Sequence, residues 1–153
     1  MQHNEKTVEI LNDLVKINND RIEGYRKAVD QSDDADLKAL FQRMIDESQT
    51  YVGQLNKELA QSGNEPESGT TTSGKLYRTW MDVKATFTGS DRHSILSSCE
   101  YGEDAAQRAY DEALKSETPM PYDLRELIAN QKGALKNSHD TIKTYRDVEK
   151  VSH

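Results

Sequence analysis

The chain is poor in the residues that interrupt, crosslink or anchor a fold: one cysteine, three prolines, one tryptophan and two phenylalanines. A single thiol, Cys99, excludes an internal disulfide framework and fits a reducing compartment. Scarce proline leaves long stretches free to be helical. No run of about 18 apolar residues occurs, so no segment reads as a bilayer-spanning helix. The opening MQHNEKTVEI lacks the apolar core of a secretory signal. Basic charge is also short, 20 Lys and Arg against 27 Asp and Glu, for a net charge of −7. No basic block stands out, which argues against a nucleic-acid partner. The expectation is a soluble, cytoplasmic protein that binds neither nucleic acid nor membrane.

What is present is charge and periodicity. Only 34% of residues are hydrophobic, while 31% are charged. That balance is too polar for wide buried sheets, but it suits long amphipathic helices with a narrow apolar stripe. Disorder is the competing reading of such a composition, and the regular spacing of the apolar residues argues against it.

In chain order, Val8, Leu11, Val15, Asn18, Ile22, Tyr25 and Val29 alternate gaps of three and four, predicting a helix over about 5–30. Ser32 or Asp33 is placed to cap the next helix. That helix spans about 35–61, with Leu37, Phe41, Met44, Ser48, Tyr51, Leu55 and Leu59 as its stripe. Gly63 stands where a left-handed C-terminal cap is expected. The stretch from Gly63 to Gly74 has no periodicity and reads as a loop. A short helix over 75–87 follows, carrying Leu76, Trp80, Val83 and Phe87. A third long helix is expected over 92–116, with the small seam Ile95, Cys99, Gly102, Ala106, Ala109 and Ala113. Pro119 and Pro121 separate it from a fourth, over about 122–148, whose seam is Leu124, Ile128, Gln131, Leu135, Ser138, Ile142 and Tyr145. Two short connectors and one long one predict an all-α, ferritin-like four-helix bundle, with the long crossover between helices two and three carrying the short extra helix. The whole chain, 1–153, reads as one domain.

Bundles of this kind often hold two irons, using Glu from two helices and Glu-x-x-His from the other two. That pattern is absent here. Thr50 follows Glu47 by three, and Lys136 precedes His139 by three. The remaining metal candidates are Glu47, Glu103 and His139, with Glu23 and Glu100 as outlying carboxylates. The other reading of the centre is a polar layer of Asn18, Ser48, Gln131 and Ser138, which would fix register at some cost in stability. Asp104 is expected to pair with Arg108 one turn on. Cys99 has Glu100 beside it and no cation within a turn, so it reads as a buried small residue rather than a reactive thiol. Gly69 to Lys75 spells GxxxxGK, but Leu76 stands where a Mg²⁺-binding hydroxyl belongs, and the stretch reads as a linker. No catalytic residue can be chosen.

Four stretches carry a family resemblance: Glu23-Gly24-Tyr25, the segment SGKLYRTWMDVKATFTGSD from Ser73 to Asp91, CEYGEDAAQRAYDEAL from Cys99 to Leu114, and His139-Asp140. Together they resemble a family of uncharacterised bacterial four-helix-bundle proteins within the ferritin-like superfamily. The resemblance implies a ferritin-like, rubrerythrin-related fold and no established activity. Relatives in the wider superfamily bind two irons and handle oxygen, peroxide or iron storage.

Three expectations follow. The first is a non-catalytic structural, interaction or stress-associated bundle that self-associates as a dimer, with no cofactor. The second is a protein that binds iron or another divalent metal through an unusual carboxylate and histidine set. The third is a small-ligand site between helices beside Gly102, Ala106 and Ala109.

Overall fold

The computed structural model describes residues 5–65, 67, 69 and 92–151, with side chains as far as Val148. Four long helices make up nearly all of it: α1 Glu5–Gln31, α2 Ala35–Gln61, α3 Arg92–Lys115 and α4 Tyr122–Val151. Their bounds fall within one to three residues of the sequence expectation. The expected short helix over 75–87, and with it Trp80, lies outside the described residues, as does most of the GxxxxGK stretch.

The cross-helix contacts fix the topology. Arg21 meets Met44 and Ser48, while Asn18 meets Ser48, so α1 and α2 run antiparallel. Asn18 reaches Tyr110, Arg21 reaches Glu103, and Thr7 reaches Pro119, so α1 and α3 are antiparallel as well. Tyr110 with Gln131 and Arg125 with Leu114 make α3 and α4 a second antiparallel pair. Gln131 with Gln54 and Ser138 with Glu47 join α4 to α2, a pair that touches more sparingly than the others. Around the bundle the order is therefore α1, α2, α4, α3, with parallel helices on the diagonals.

Arg92, at the start of α3, bonds Asp34 and Asp36, at the start of α2. Consequently α2 ends and α3 begins at opposite ends of the bundle. A helix of 27 residues is about 40 Å long. The described part of this connection sets out along α1 and α2: Asn56 accepts from Glu67 N–H at 2.8 Å and donates to its carbonyl at 3.2 Å, and Asn19 donates to the Gly69 carbonyl at 2.9 Å.

One apolar cluster joins all four helices, with Leu11, Leu37, Leu59, Leu96, Leu124, Ile128 and Ile142 among its fully buried members. Burying each such side chain contributes about 1.5–3 kcal/mol. In α1 this core draws on two parallel stripes. Beside the expected one runs Leu14, Ile17, Arg21, Gly24 and Ala28, again at gaps of three and four and buried throughout. Val8 and Val29, at its ends, are half-buried.

The helix ends have local causes. At α2 the cap is Asp34, without a side-chain bond to the helix. Ser32 Oγ instead accepts the Asp34 N–H at 3.3 Å, which corrects the expectation that Ser32 or Asp33 would cap α2 itself. Gly63 takes φ +79°, and the amides of Gly63 and Asn64 return to the carbonyls of Ala60 and Leu59. Only glycine adopts that backbone without strain. At the far connector, Thr118 N–H bonds Ser116 Oγ, and Arg125 caps the free Leu114 carbonyl of α3 at 2.8 Å.

Candidate functional site: a guanidinium at the bundle centre

Arg21 is fully buried, and its whole donor set is used. Nε and Nη2 fork onto the two oxygens of Glu103, at 2.5 and 3.1 Å. Nη2 also lies 2.9 Å from Glu47 Oε1. Nη1 donates to Ser48 Oγ at 2.8 Å and to the Met44 carbonyl at 3.3 Å. The guanidinium carbon stands 5.3 Å above the Tyr25 ring, close enough for a cation–π attraction. A planar fork of five N–H groups suits this two-carboxylate setting in a way that a lysine ammonium does not.

The register of the helices delivers these groups. Arg21 lies in the middle of the second α1 stripe, one turn beyond Ile17. Glu47 and Ser48 are successive residues of α2. Glu103 lies seven residues from both Leu96 and Tyr110, so these three share one face of α3, and all three are buried.

From Arg21 a file of hydrogen bonds crosses the bundle. Ser48 accepts from Arg21 and donates to Asn18 Oδ1 at 2.9 Å. Asn18 Nδ2 donates to the Leu14 carbonyl and to Tyr110 Oη, both at 2.8 Å. Tyr110 donates to Gln131 Oε1 at 2.6 Å, and Gln131 donates to Gln54 Oε1 at 2.9 Å, where the file reaches the surface. On the other side Ser138 donates to Glu47 Oε1 at 2.9 Å. From Ser48 to Gln131 each group passes a hydrogen bond on away from the cation, whereas Ser138 donates toward the centre, and such chains polarise one another. Asn18, Ser48, Gln131 and Ser138 thus stand in one buried network spanning α1, α2 and α4, with Tyr110 completing it from α3.

The electrostatics follow from burial and the ion pair. Burial opposes the charge on Arg21, but Glu103 and Glu47 more than offset it, so the guanidinium stays charged. Burial pushes the Glu103 carboxyl up, against the pull of Arg21. Burial also raises the Tyr25, Tyr51 and Tyr110 hydroxyls and drives the Cys99 thiol well above its ordinary value, so these stay protonated at neutral pH. Tyr25 Oη finds no hydrogen-bond partner among the described residues.

The five metal candidates separate into three places. Glu47 and Glu103 meet at Arg21. His139 and Glu100 lie instead on the α3–α4 seam, where His139 Nε2 is 2.7 Å from Asp104 and 3.8 Å from Glu100. Glu23 is exposed on α1. Asp104 therefore meets His139 across the helix pair, a contact the i+4 pairing with Arg108 did not anticipate. The central donors do not fit a di-iron cluster. Both Glu103 oxygens and Glu47 Oε1 already accept from Arg21, and among the described residues no histidine is bonded to either carboxylate.

Arg21 and Tyr110 are functional residues that the apolar periodicity alone does not single out. The signal for Arg21 was its place in the second α1 stripe, where an arginine stands among Leu14, Ile17, Gly24 and Ala28.

The fold and its centre define an all-α four-helix bundle held about a buried guanidinium. The family described as "Domain of unknown function (DUF2383)" matches residues 6–116, and the chain belongs to that family. The match takes in Asn18, Arg21, Glu47, Ser48, Glu103 and Tyr110, whereas Gln131, Ser138 and His139 lie beyond it. No curated protein matches the chain. Among the described residues no helix is long and apolar enough to cross a membrane.

Proposed function

We propose that this protein is a ferritin-like bundle in which an arginine stands where a metal cluster would otherwise neutralise the central carboxylates, and that it acts as a non-catalytic structural or interaction protein. The observation that carries this reading is the fully buried Arg21 between Glu103 and Glu47. A guanidinium supplies positive charge with no open coordination position and no redox chemistry. It holds three helices in register and offers a substrate nothing to react with. The antiparallel order of helices, with α2 and α3 beginning at the same end, supports the ferritin-like comparison.

Self-association as a dimer belongs to the same proposal. Tyr101, Tyr122 and Val148 are large side chains exposed on the described surface, and Tyr101 and Val148 lie at the same end of the α3–α4 pair. The buried lone thiol suits a cytoplasmic setting.

The test is metal analysis of untagged protein after anaerobic iron loading, with sedimentation to give the mass. The expected result is no iron whose retention depends on Glu47 or Glu103. Two irons per chain, lost in Glu103→Gln and kept in His139→Ala, would place a cluster at the centre and overturn the reading.

A further inference from the structure

Among the described residues, one group of histidine and carboxylate side chains converges closely enough to hold a metal ion: Glu100, Asp104 and His139. It lies outside the guanidinium network, on the seam between α3 and α4. We infer that this seam binds one divalent first-row transition-metal ion of the zinc class, with Glu100, Asp104 and His139 as ligands.

Spacing makes the site. Glu100 and Asp104 are four residues apart, so they project from successive turns of one face of α3. His139 comes from the neighbouring helix and aims Nε2 between them. Its Nε2 stands 2.7 Å from Asp104 Oδ1 and 3.8 Å from Glu100 Oε1. Ligands bound tetrahedrally at about 2.0–2.2 Å lie about 3.4 Å apart, so the two distances bracket what an ion would impose. Small carboxylate rotations close the difference.

The second ring nitrogen carries an independent argument. His139 Nδ1 lies 3.2 Å from Asp140 Oδ1. With an ion on Nε2 the ring proton is left on Nδ1, where the Asp140 carboxylate accepts it, and zinc-bound histidines are oriented in this way. Charge adds a third argument. Glu100, Asp104 and Asp140 bring three carboxylates to contacts with one guanidinium, Arg146, and one imidazole. Even a protonated His139 leaves that group negative, and a dication would offset the excess. The imidazole selects a transition metal over Mg²⁺ or Ca²⁺.

Access is one-sided. The side chains of His139 and Glu100 are 18% and 13% exposed, whereas Asp104 is 51% exposed. Water thus reaches the ion from the Asp104 side and completes its coordination. Arg146 works against the ion, because its Nη1 holds Glu100 Oε2 while leaving Oε1 to ligate. Removing that guanidinium therefore tightens the site.

The experiment is calorimetric titration of untagged, chelator-stripped protein with ZnCl₂, repeated with CoCl₂ to read coordination from its visible absorption. One Zn²⁺ per chain is expected, with no response to CaCl₂ or MgCl₂. His139→Ala and Asp104→Asn should each weaken binding at least tenfold while retaining the helical circular dichroism signal. Arg146→Gln should strengthen binding. Binding unaltered in His139→Ala, or no stoichiometric binding by the wild-type chain, would overturn the inference.

Discussion

Arg21 Nε donates to Glu103 Oε1 at 2.5 Å, inside a core where Arg21 is 0% and Glu103 2% exposed. Taking both charges out of water is costly, and their attraction repays this only because the remaining donors also find partners. Removing one member should therefore harm the fold more than removing the set. Arg21→Met is expected to lower stability by about 3–5 kcal/mol, since it leaves two central carboxylates without their counter-charge. Replacing Arg21, Glu47 and Glu103 together by apolar residues of matched volume should recover most of that loss. Urea unfolding of the single and triple variants measures both. A triple variant no better than Arg21→Met would show that the ion pair itself carries the stability.

Protonation supplies a second check. Glu103 is raised by burial above its ordinary value of 4.5, with Arg21 pulling the other way. A carboxyl raised on folding contributes stability that is fully present below the unfolded value and is lost as pH rises through the folded one. Relative to Glu103→Gln, the wild type should lose stability as pH climbs above about 4.5, then level off. Asp36 and Asp111 act in the opposite direction. Hydrogen bonds from Arg92 and Lys132 hold them below 3.8, so their contribution is present above that value and lost as pH falls through the folded one. Unfolding of wild type, Glu103→Gln and Asp36→Asn across pH 3–7 separates the two. A wild type that gains on Glu103→Gln as pH rises would mean that pairing outweighs burial.

The two limbs draw on different parts of the molecule, and the sequence revealed them unequally. The seam of α4 was legible because Leu124, Ile128, Leu135 and Ile142 repeat at heptad spacing, and each is buried. The polar residues interrupting the seams were legible for the same reason: Asn18, Ser48, Gln131 and Ser138 break an otherwise apolar period. Arg21 was not, because charged residues usually sit on a solvated face, and its burial depends on Glu103, eighty-two residues away. Glu47 and Glu103 are recognisable as inward carboxylates, yet nothing in their spacing points to an arginine as the charge partner. His139 lies beside seam residue Ser138, and a rotation of one position sends it to the α3–α4 surface.

Cys99 offers a prediction about reactivity. Burial, with Glu103 adding to it, drives the thiol well above its ordinary value of 9.0. Since the thiolate is the reacting species, the native protein should resist a thiol-directed disulfide reagent at neutral pH. Labelling should become complete in denaturant, with the native rate set by the population of opened molecules. Rapid stoichiometric labelling of the native fold would contradict the burial of Cys99.

Tyr110 sits at the crossing point of the network, accepting from Asn18 Nδ2 and donating to Gln131 Oε1. Its hydroxyl is the one α3 group that links the α1 and α4 parts of the file. Tyr110→Phe keeps the ring and its packing but leaves an amide donor and an amide acceptor without that partner. The expected cost is about 1–3 kcal/mol, the desolvation penalty of unsatisfied buried groups. A double-mutant cycle with Gln131→Leu should show strong coupling, because the second change removes the acceptor that the first left stranded. Additive effects would mean that water replaces the hydroxyl. Making Asn18, Ser48, Tyr110 and Gln131 apolar together should cost far less stability than the single changes predict when summed, since only the Arg21 N–H that bonds Ser48 is then left without its partner. What such a variant should lose is uniqueness: a seam without polar registers permits helices to slide, and its amide spectrum should broaden even as its unfolding midpoint holds.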